Sequence, residues 1–344
     1  MRSMTENGGG QPAKADLIDV RSEVARTLIA AMEAGATPWQ KPWAAAALKP
    51  VNATTGNAYR GANRLLLALA AKTDADGRAD PRWATYQQAK ANGWQVRRGE
   101  KGTPIVKVVE LPRTDARELG AGGATGSGAN VVGGKDVPDQ ERKAFTLRRY
   151  MIFNAQQMDG PPQLEAPAPL DFNPVERAEA VMQALMEKTG LLVVHGGDQA
   201  CYVPALDEVR LPPKKSFASV YDYYATALHE GAHSTLHKKR MDRQEAIAKR
   251  WGDQAYALEE LRAEICSAIL AAETGVPVGQ AHVENHAAYL RHWLDAVVQD
   301  PMALFSAAKD AERMAEYMLG LEKQMGALEV HKDWIHDYEQ AMGR

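Results

Sequence analysis

Only two cysteines occur in the 344 residues, Cys201 and Cys266, and neither belongs to a CxxC pair. That scarcity excludes a disulfide framework and a thiolate zinc site, and it fits a reducing cytosol. No stretch approaches 18 consecutive apolar residues, so a membrane-spanning helix is not expected. The N-terminal run MRSMTENGGGQPAKAD has no apolar core of the kind a secretory signal needs. The expected setting is therefore cytoplasmic, with no membrane partner. A phosphate loop is missing too. The Gly-rich run from Gly120 to Asn130 contains no GxxxxGK[ST] and opens no helix, so it reads as flexible low-complexity sequence.

The net charge is only −3, but its sign is unevenly spread. Residues 1–158 hold 23 Lys and Arg against 15 Asp and Glu; residues 159–344 hold 18 against 29. A basic half joined to an acidic half implies two tasks, with the basic half suited to a polyanion. A polar tail covers 1–15, and a Pro-rich linker covers 159–173. They bound an N-terminal domain, 16–158, with a Gly-rich insertion at 113–140, and a C-terminal domain, 174–344. In the first, helices are expected at 17–34, 63–71 and 82–92, and strands at 94–97, 104–111 and 145–154. In the second, a helix at 174–188 precedes short strands at 191–195, 200–203 and 208–211. Helices follow at 220–237, around Glu260, at 280–298 and at 301–321. The fold class is α+β, with a small α+β domain followed by a mainly helical domain holding a small sheet.

His229-Glu230-Gly231-Ala232-His233 carries the chemistry. Two histidines four apart on a helix lie on one face and can grip a single Zn²⁺. Glu230, beside the first, is placed to take a proton from water rather than to bind metal. Catalytic zinc ordinarily takes three protein ligands. A third histidine at 239 is ruled out, because Lys239 stands there. The alternative is a glutamate on a later helix, and Glu259-Glu260-Leu261-Arg262-Ala263-Glu264 supplies one. Glu260 and Glu264 share a face, so Glu260 is the candidate ligand and Glu264 the candidate partner of a ligand imidazole. Leu261, Ile265, Ala268 and Ile269 would anchor that helix. His237 continues the histidine face as a fourth ligand, a partner of a ligand side chain or a surface residue. His286 and Tyr289 are candidates for steadying an oxyanion, with packing as the alternative.

Aromatic residues make up 7% of the chain, yet Trp39, Trp43, Tyr59, Trp83, Tyr86 and Trp94 all fall in the first hundred residues. They are interleaved with Lys41, Arg60, Arg64, Arg82, Arg97, Arg98 and Lys101. Aromatic faces that stack bases beside cations that track phosphates are the ingredients of single-strand binding. The same tryptophans could equally fill a small core. The candidate DNA-binding residues are Trp39, Lys41, Trp43, Asn52, Tyr59, Arg60, Asn63, Arg97, Arg98 and Lys101. No helix-turn-helix is evident, which argues against duplex readout.

Several ordered runs carry a family resemblance: PWQKPW (38–43), NATTGNAYRGAN (52–63), RWATYQQAKANGWQVRRGEKGTPIVK (82–107) and YMIFNAQQMDG (150–160) in the first half. In the second they are DEVRLPP (207–213), YYATALHEGAHSTLHKKRMDR (223–243), EELRAEICSAIL (259–270) and ENHAAYLRHWL (284–294). Over residues 15–321 the chain resembles the ArdC-type antirestriction proteins. The resemblance implies a mobile-element protein that shields incoming DNA from host restriction, with an N-terminal single-stranded-DNA-binding domain and a C-terminal zincin-like domain. It implies His229 and His233 as metal ligands, Glu230 as the motif glutamate and Glu260 as third ligand. Single-stranded DNA and a host protein substrate, such as a restriction component, are the expected partners. Competing readings are a DNA-coating protein with a structural zinc, a zinc peptidase unrelated to restriction, and mimicry of DNA by the acidic half.

Overall fold

The computed structural model describes residues 25–30, 32–33, 44–110, 130–132, 143–165, 173–243, 253–277 and 293–325. Residues 25–30 and 32–33 are helical, within the expected first helix. A short helix α1 (Ala44–Ala47) leads to strand β1 (Val51–Asn52) and helix α2 (Ala62–Ala70). Then come β2 (Arg82–Thr85), α3 (Tyr86–Ala91), β3 (Gln95–Val96), β4 (Thr103–Glu110), β5 (Asn130–Val132), β6 (Lys143–Asn154) and β7 (Met158–Asp159). The main sheet runs β1-β2-β6-β4, and β5 also pairs with β6; β3 and β7 form a separate ribbon. The long β6 is the spine, antiparallel to β2, β4 and β5.

The helix expected at 82–92 is half strand. Trp83 and Ala84 are wholly buried and pair with Asn154 and Phe153 of β6. The helix starts only at Tyr86, where a capping box closes. Thr85 Oγ1 accepts the Gln88 N–H at 3.1 Å, and the Gln88 side chain accepts the Thr85 N–H at 3.0 Å. That Thr-x-x-Gln signature is legible in the sequence. Trp83, Leu67, Ile105 and Ile152 form a small core between the sheet and α2. Each such buried side chain contributes about 1.5–3 kcal/mol.

The second half opens with α4 (Pro174–Thr189), followed by β8 (Leu192–His195), β9 (Cys201–Val203) and β10 (Glu208–Leu211) in the order β8-β10-β9. Asn173 caps α4 with Pro174 at its first position, and Gly190 ends it at φ 76°. Helices α5 (Val220–Ser234), α6 (Asp253–Thr274) and α7 (Pro301–Met325) follow. Of the helix expected at 280–298, residues 293–299 are helical and the earlier part lies outside the described residues. α5, α6 and α7 pack on α4 around Leu185, Tyr224, Leu228, Leu261, Ile265, Met314 and Met318. At Gly231 a Cβ would stand 3.0 Å from Met182 Sδ and 3.1 Å from Met318 Cε, so glycine lets α4 and α7 close on α5.

The largest core does not stop at the linker. Leu28, Met32, Leu65 and Leu66 of the basic half join the same buried cluster as the helices of the acidic half. A buried ion pair, Arg64 Nη2 to Glu312 Oε1 at 2.7 Å, ties α2 to α7, and Glu312 Oε2 accepts the Gly61 N–H at 3.2 Å. No helix among the described residues is long and apolar enough to cross a membrane.

Candidate metal centre

Helix α5 begins where Ser219 Oγ accepts the Asp222 N–H at 3.1 Å. Its tyrosines fix it laterally. Tyr224 donates to Glu179 Oε2 at 2.6 Å on α4, and the Tyr223 hydroxyl lies 3.0 Å from His195 Nε2 on β8. The helix stops at Ser234, three residues short of the expected end at His237. Ser234 Oγ and Thr235 Oγ1 each donate to a carbonyl three residues back, at 2.6 Å. Arg240 Nε then caps the Ser234 carbonyl at 2.6 Å. Such local side-chain bonds compete with the helical ladder.

One turn apart on α5, His229 and His233 bring their Nε2 atoms to 3.1 Å of each other. Glu260, on the facing α6, places Oε2 3.5 Å from His229 Nε2 and Oε1 3.4 Å from His233 Nε2. These three groups could hold one metal ion. Donors bound tetrahedrally at about 2.0–2.1 Å stand about 3.3 Å apart, so the observed spacings suit such an ion. Glu230 is buried at 8% exposure, and its charge is among those acting on His229.

Each imidazole has its own carboxylate on the far side. Glu264 Oε2 lies 3.4 Å from His229 Nδ1, and Glu259 Oε1 lies 3.5 Å from His233 Nδ1. Both are almost fully buried, at 1% and 4% exposure. Once a ring is neutral, keeping its proton on the Nδ1 that faces this carboxylate leaves the Nε2 lone pair for the shared centre. Burial disfavours the charged imidazole, yet the hydrogen bonds to Glu260 and Glu264 hold His229 well above the usual histidine range. Burial likewise opposes His233, and Glu259 with Glu260 pushes it up to about 9. Burial raises the Glu260 carboxyl, but the two rings bring it far below the usual carboxylate range. Loading a metal would therefore displace protons.

Sequence reasoning anticipated Glu264 but passed over Glu259, whose neighbour Glu260 has the more obvious helical partner. The missing signal is Arg243, which grips Glu259 through Nη1 at 2.9 Å and Nη2 at 3.1 Å. His237 stands apart from the centre, with Nδ1 3.5 Å from Asp207 Oδ2. His286 and Tyr289 lie outside the described residues, as do Trp39, Lys41 and Trp43.

The other DNA-binding candidates divide by what their side chains already do. Asn52 closes a turn by accepting from Thr54 and Thr55, and donates to the Tyr59 hydroxyl at 3.1 Å. Asn63 makes a two-way bond to the Val106 backbone. Arg97 bonds the Gln156 and Met158 carbonyls. Arg60 is exposed but paired with Glu316. Arg98 and Lys101 are exposed on the turn before β4. Trp83 is core, whereas Tyr86 is 48% exposed.

A histidine pair on one helix, met by a glutamate from a second helix and backed by a small three-stranded sheet, defines a zincin-like protein. Residues 180–310 match the family described as zincin-like metallopeptidase, and residues 18–153 match the N-terminal domain of the anti-restriction factor ArdC. The metal-free crystal structure of the antirestriction protein ArdC from plasmid R388 is similar at TM-score 0.65 and 31% identity, covering 89% of this chain and 98% of that one. Its Mn(II)-bound structure is similar at TM-score 0.65 and 32% identity, covering 88% of this chain and 97% of that one. The chain belongs to the ArdC antirestriction family, and a divalent metal suits its centre. A DNA primase TraC of Escherichia coli is 41% identical over 88% of the chain, which spans only 27% of that primase. An uncharacterized Sinorhizobium fredii protein is 35% identical over 87% of this chain and 91% of its own length.

Proposed function

We propose that the protein is an antirestriction factor that binds single-stranded DNA through its basic half and carries a zinc-dependent peptidase centre in its acidic half. The observation that carries the second part is the convergence of His229, His233 and Glu260 at 3.1–3.5 Å, each imidazole backed by a buried carboxylate. His229, His233 and Glu260 would hold the zinc, which when bound polarises a peptide carbonyl as a Lewis acid. Glu230 takes the proton of the attacking water and passes it to the leaving amine. Glu264 and Glu259 hold the two rings in one tautomer throughout.

The DNA reading is supported by charge on the β4–β6 ladder. Lys107 and Arg148 face each other directly in register, and both are exposed. Like charges opposite one another destabilise a sheet, so the pair calls for an anion. Arg98 and Lys101, exposed before β4, add to the basic charge of this half. Stacking and phosphate contact are sequence-tolerant, which suits a protein that meets arbitrary incoming DNA. The test is fluorescence anisotropy of labelled single- and double-stranded oligonucleotides with the full chain at two salt concentrations. Tight single-strand binding that weakens with salt is expected. Equal affinity for duplex, or none for either, overturns the DNA half. Metal analysis of the purified protein decides between zinc and another divalent ion.

A further inference from the structure

We infer that Arg243 is a positioning residue of the metal centre, acting through Glu259 on His233; the inference rests on the metal reading above. Two adjacent glutamates reach the same imidazole from opposite sides, Glu259 at Nδ1 and Glu260 at Nε2. Something must make one the orienting acceptor and leave the other free for metal. Arg243 does so geometrically. Its guanidinium occupies both Glu259 oxygens, at 2.9 and 3.1 Å, in the fork arrangement that arginine matches to carboxylates. The remaining capacity of Oε1 goes to His233 Nδ1.

The same Nη2 donates to Thr235 Oγ1 at 2.8 Å, at the end of α5. Arg243 thus joins the histidine helix to the glutamate helix beside the centre. The backbone is shaped for this. Asp242 adopts φ 50°, a left-handed conformation uncommon outside glycine, and the Arg243 N–H then bonds the Leu236 carbonyl at 3.1 Å. Arg262 Nη1 is 3.8 Å from Glu259 Oε2, but its Nε is committed to Asp310 at 2.9 Å. Without the fork, Glu259 is a buried anion beside His233 with Arg262 Nη1 at 3.8 Å as its nearest remaining guanidinium, and its carboxylate is no longer held toward the ring.

The test is Zn²⁺ affinity of the full chain by competition with a chromophoric chelator, alongside the absorption spectrum of the Co²⁺ form and the unfolding midpoint of the metal-free protein. Arg243→Gln and Glu259→Gln should each weaken zinc about tenfold or more, the range seen when partners of metal ligands are removed. Arg243→Lys should restore little, because lysine has no fork. The double variant should be no weaker than the worse single one, because both act in one chain of contacts. A shifted Co²⁺ spectrum in Arg243→Gln separates a rearranged centre from a merely less stable fold. Wild-type zinc affinity in a folded Arg243→Gln, or additive losses in the double variant, would overturn the inference. If Arg243→Gln does not fold, Arg243→Lys, which keeps the charge without the fork, decides by the same criterion. Failure of the wild type to bind zinc sinks the metal reading itself, before any variant is compared.

Discussion

Glu312→Leu should cost this protein about 3–5 kcal/mol, the range for breaking a buried ion pair from one side. The side chains of Arg64 and Glu312 are 8% and 9% exposed, and their closest approach is 2.7 Å. Arg64 also donates to the Leu48 carbonyl at 2.9 Å, while its Nε makes no hydrogen bond. Removing Glu312 strands the guanidinium in an apolar cluster and orphans the Gly61 N–H. Replacing both partners, as Arg64→Met with Glu312→Leu, removes the charge problem. It leaves the Leu48 carbonyl and Gly61 N–H without those partners, at about 1–3 kcal/mol each at most. The double variant should therefore be more stable than the Glu312→Leu single. The assay is urea unfolding followed by circular dichroism, comparing midpoints at constant slope. Because Leu65 and Leu66 share a core with Leu185 and Met318, the wild type should unfold in one transition. A cost under about 1 kcal/mol for Glu312→Leu, or a double variant worse than the single, would refute the reasoning.

The centre was more legible in the sequence than the surface. Helical spacing is a local rule, so His229, His233 and the Glu260–Glu264 face could be read from it. That spacing favours Glu260 over Glu259, but it does not show the grip of Arg243 on Glu259, because Arg243 arrives through the left-handed turn at Asp242. The half-strand at Arg82–Thr85 was missed for a related reason: Trp83 is drawn into the sheet by pairing with Asn154, 71 residues away. At the basic surface, residue type does not reveal which side chains already have intramolecular partners. Asn52, Asn63 and Arg97 bear groups suited to DNA, yet bond neighbouring backbone or turns. Lys107 and Arg148 became candidates only when the register set them opposite each other.

Glu230→Gln should keep its metal and lower any peptidase rate by about 10²–10⁴, the contribution of a general base; wild-type cleavage by that variant would remove Glu230 from the mechanism. Lys107→Glu and Arg148→Glu should each weaken single-strand binding and reduce the slope of log affinity against log salt by about 0.7 per lost phosphate contact. An unchanged slope would place the DNA elsewhere. The last expectation concerns pH. In the metal-free protein His233 is pushed up to about 9, above its ordinary 6.5, by Glu259 and Glu260 against the opposing effect of burial. A raised folded-state value stabilises the fold fully below pH 6.5, and that stability is lost as pH climbs through about 9. The metal-free unfolding midpoint should thus fall across that window. Zinc affinity should move the other way, rising from pH 7 to 9, because zinc takes a neutral imidazole and each displaced proton makes binding pH-dependent. Chelator competition at pH 7 and 9, paired with unfolding of the metal-free form, reads both trends. If the metal-free midpoint fails to fall between pH 7 and 9, the carboxylates around His233 are not holding its proton.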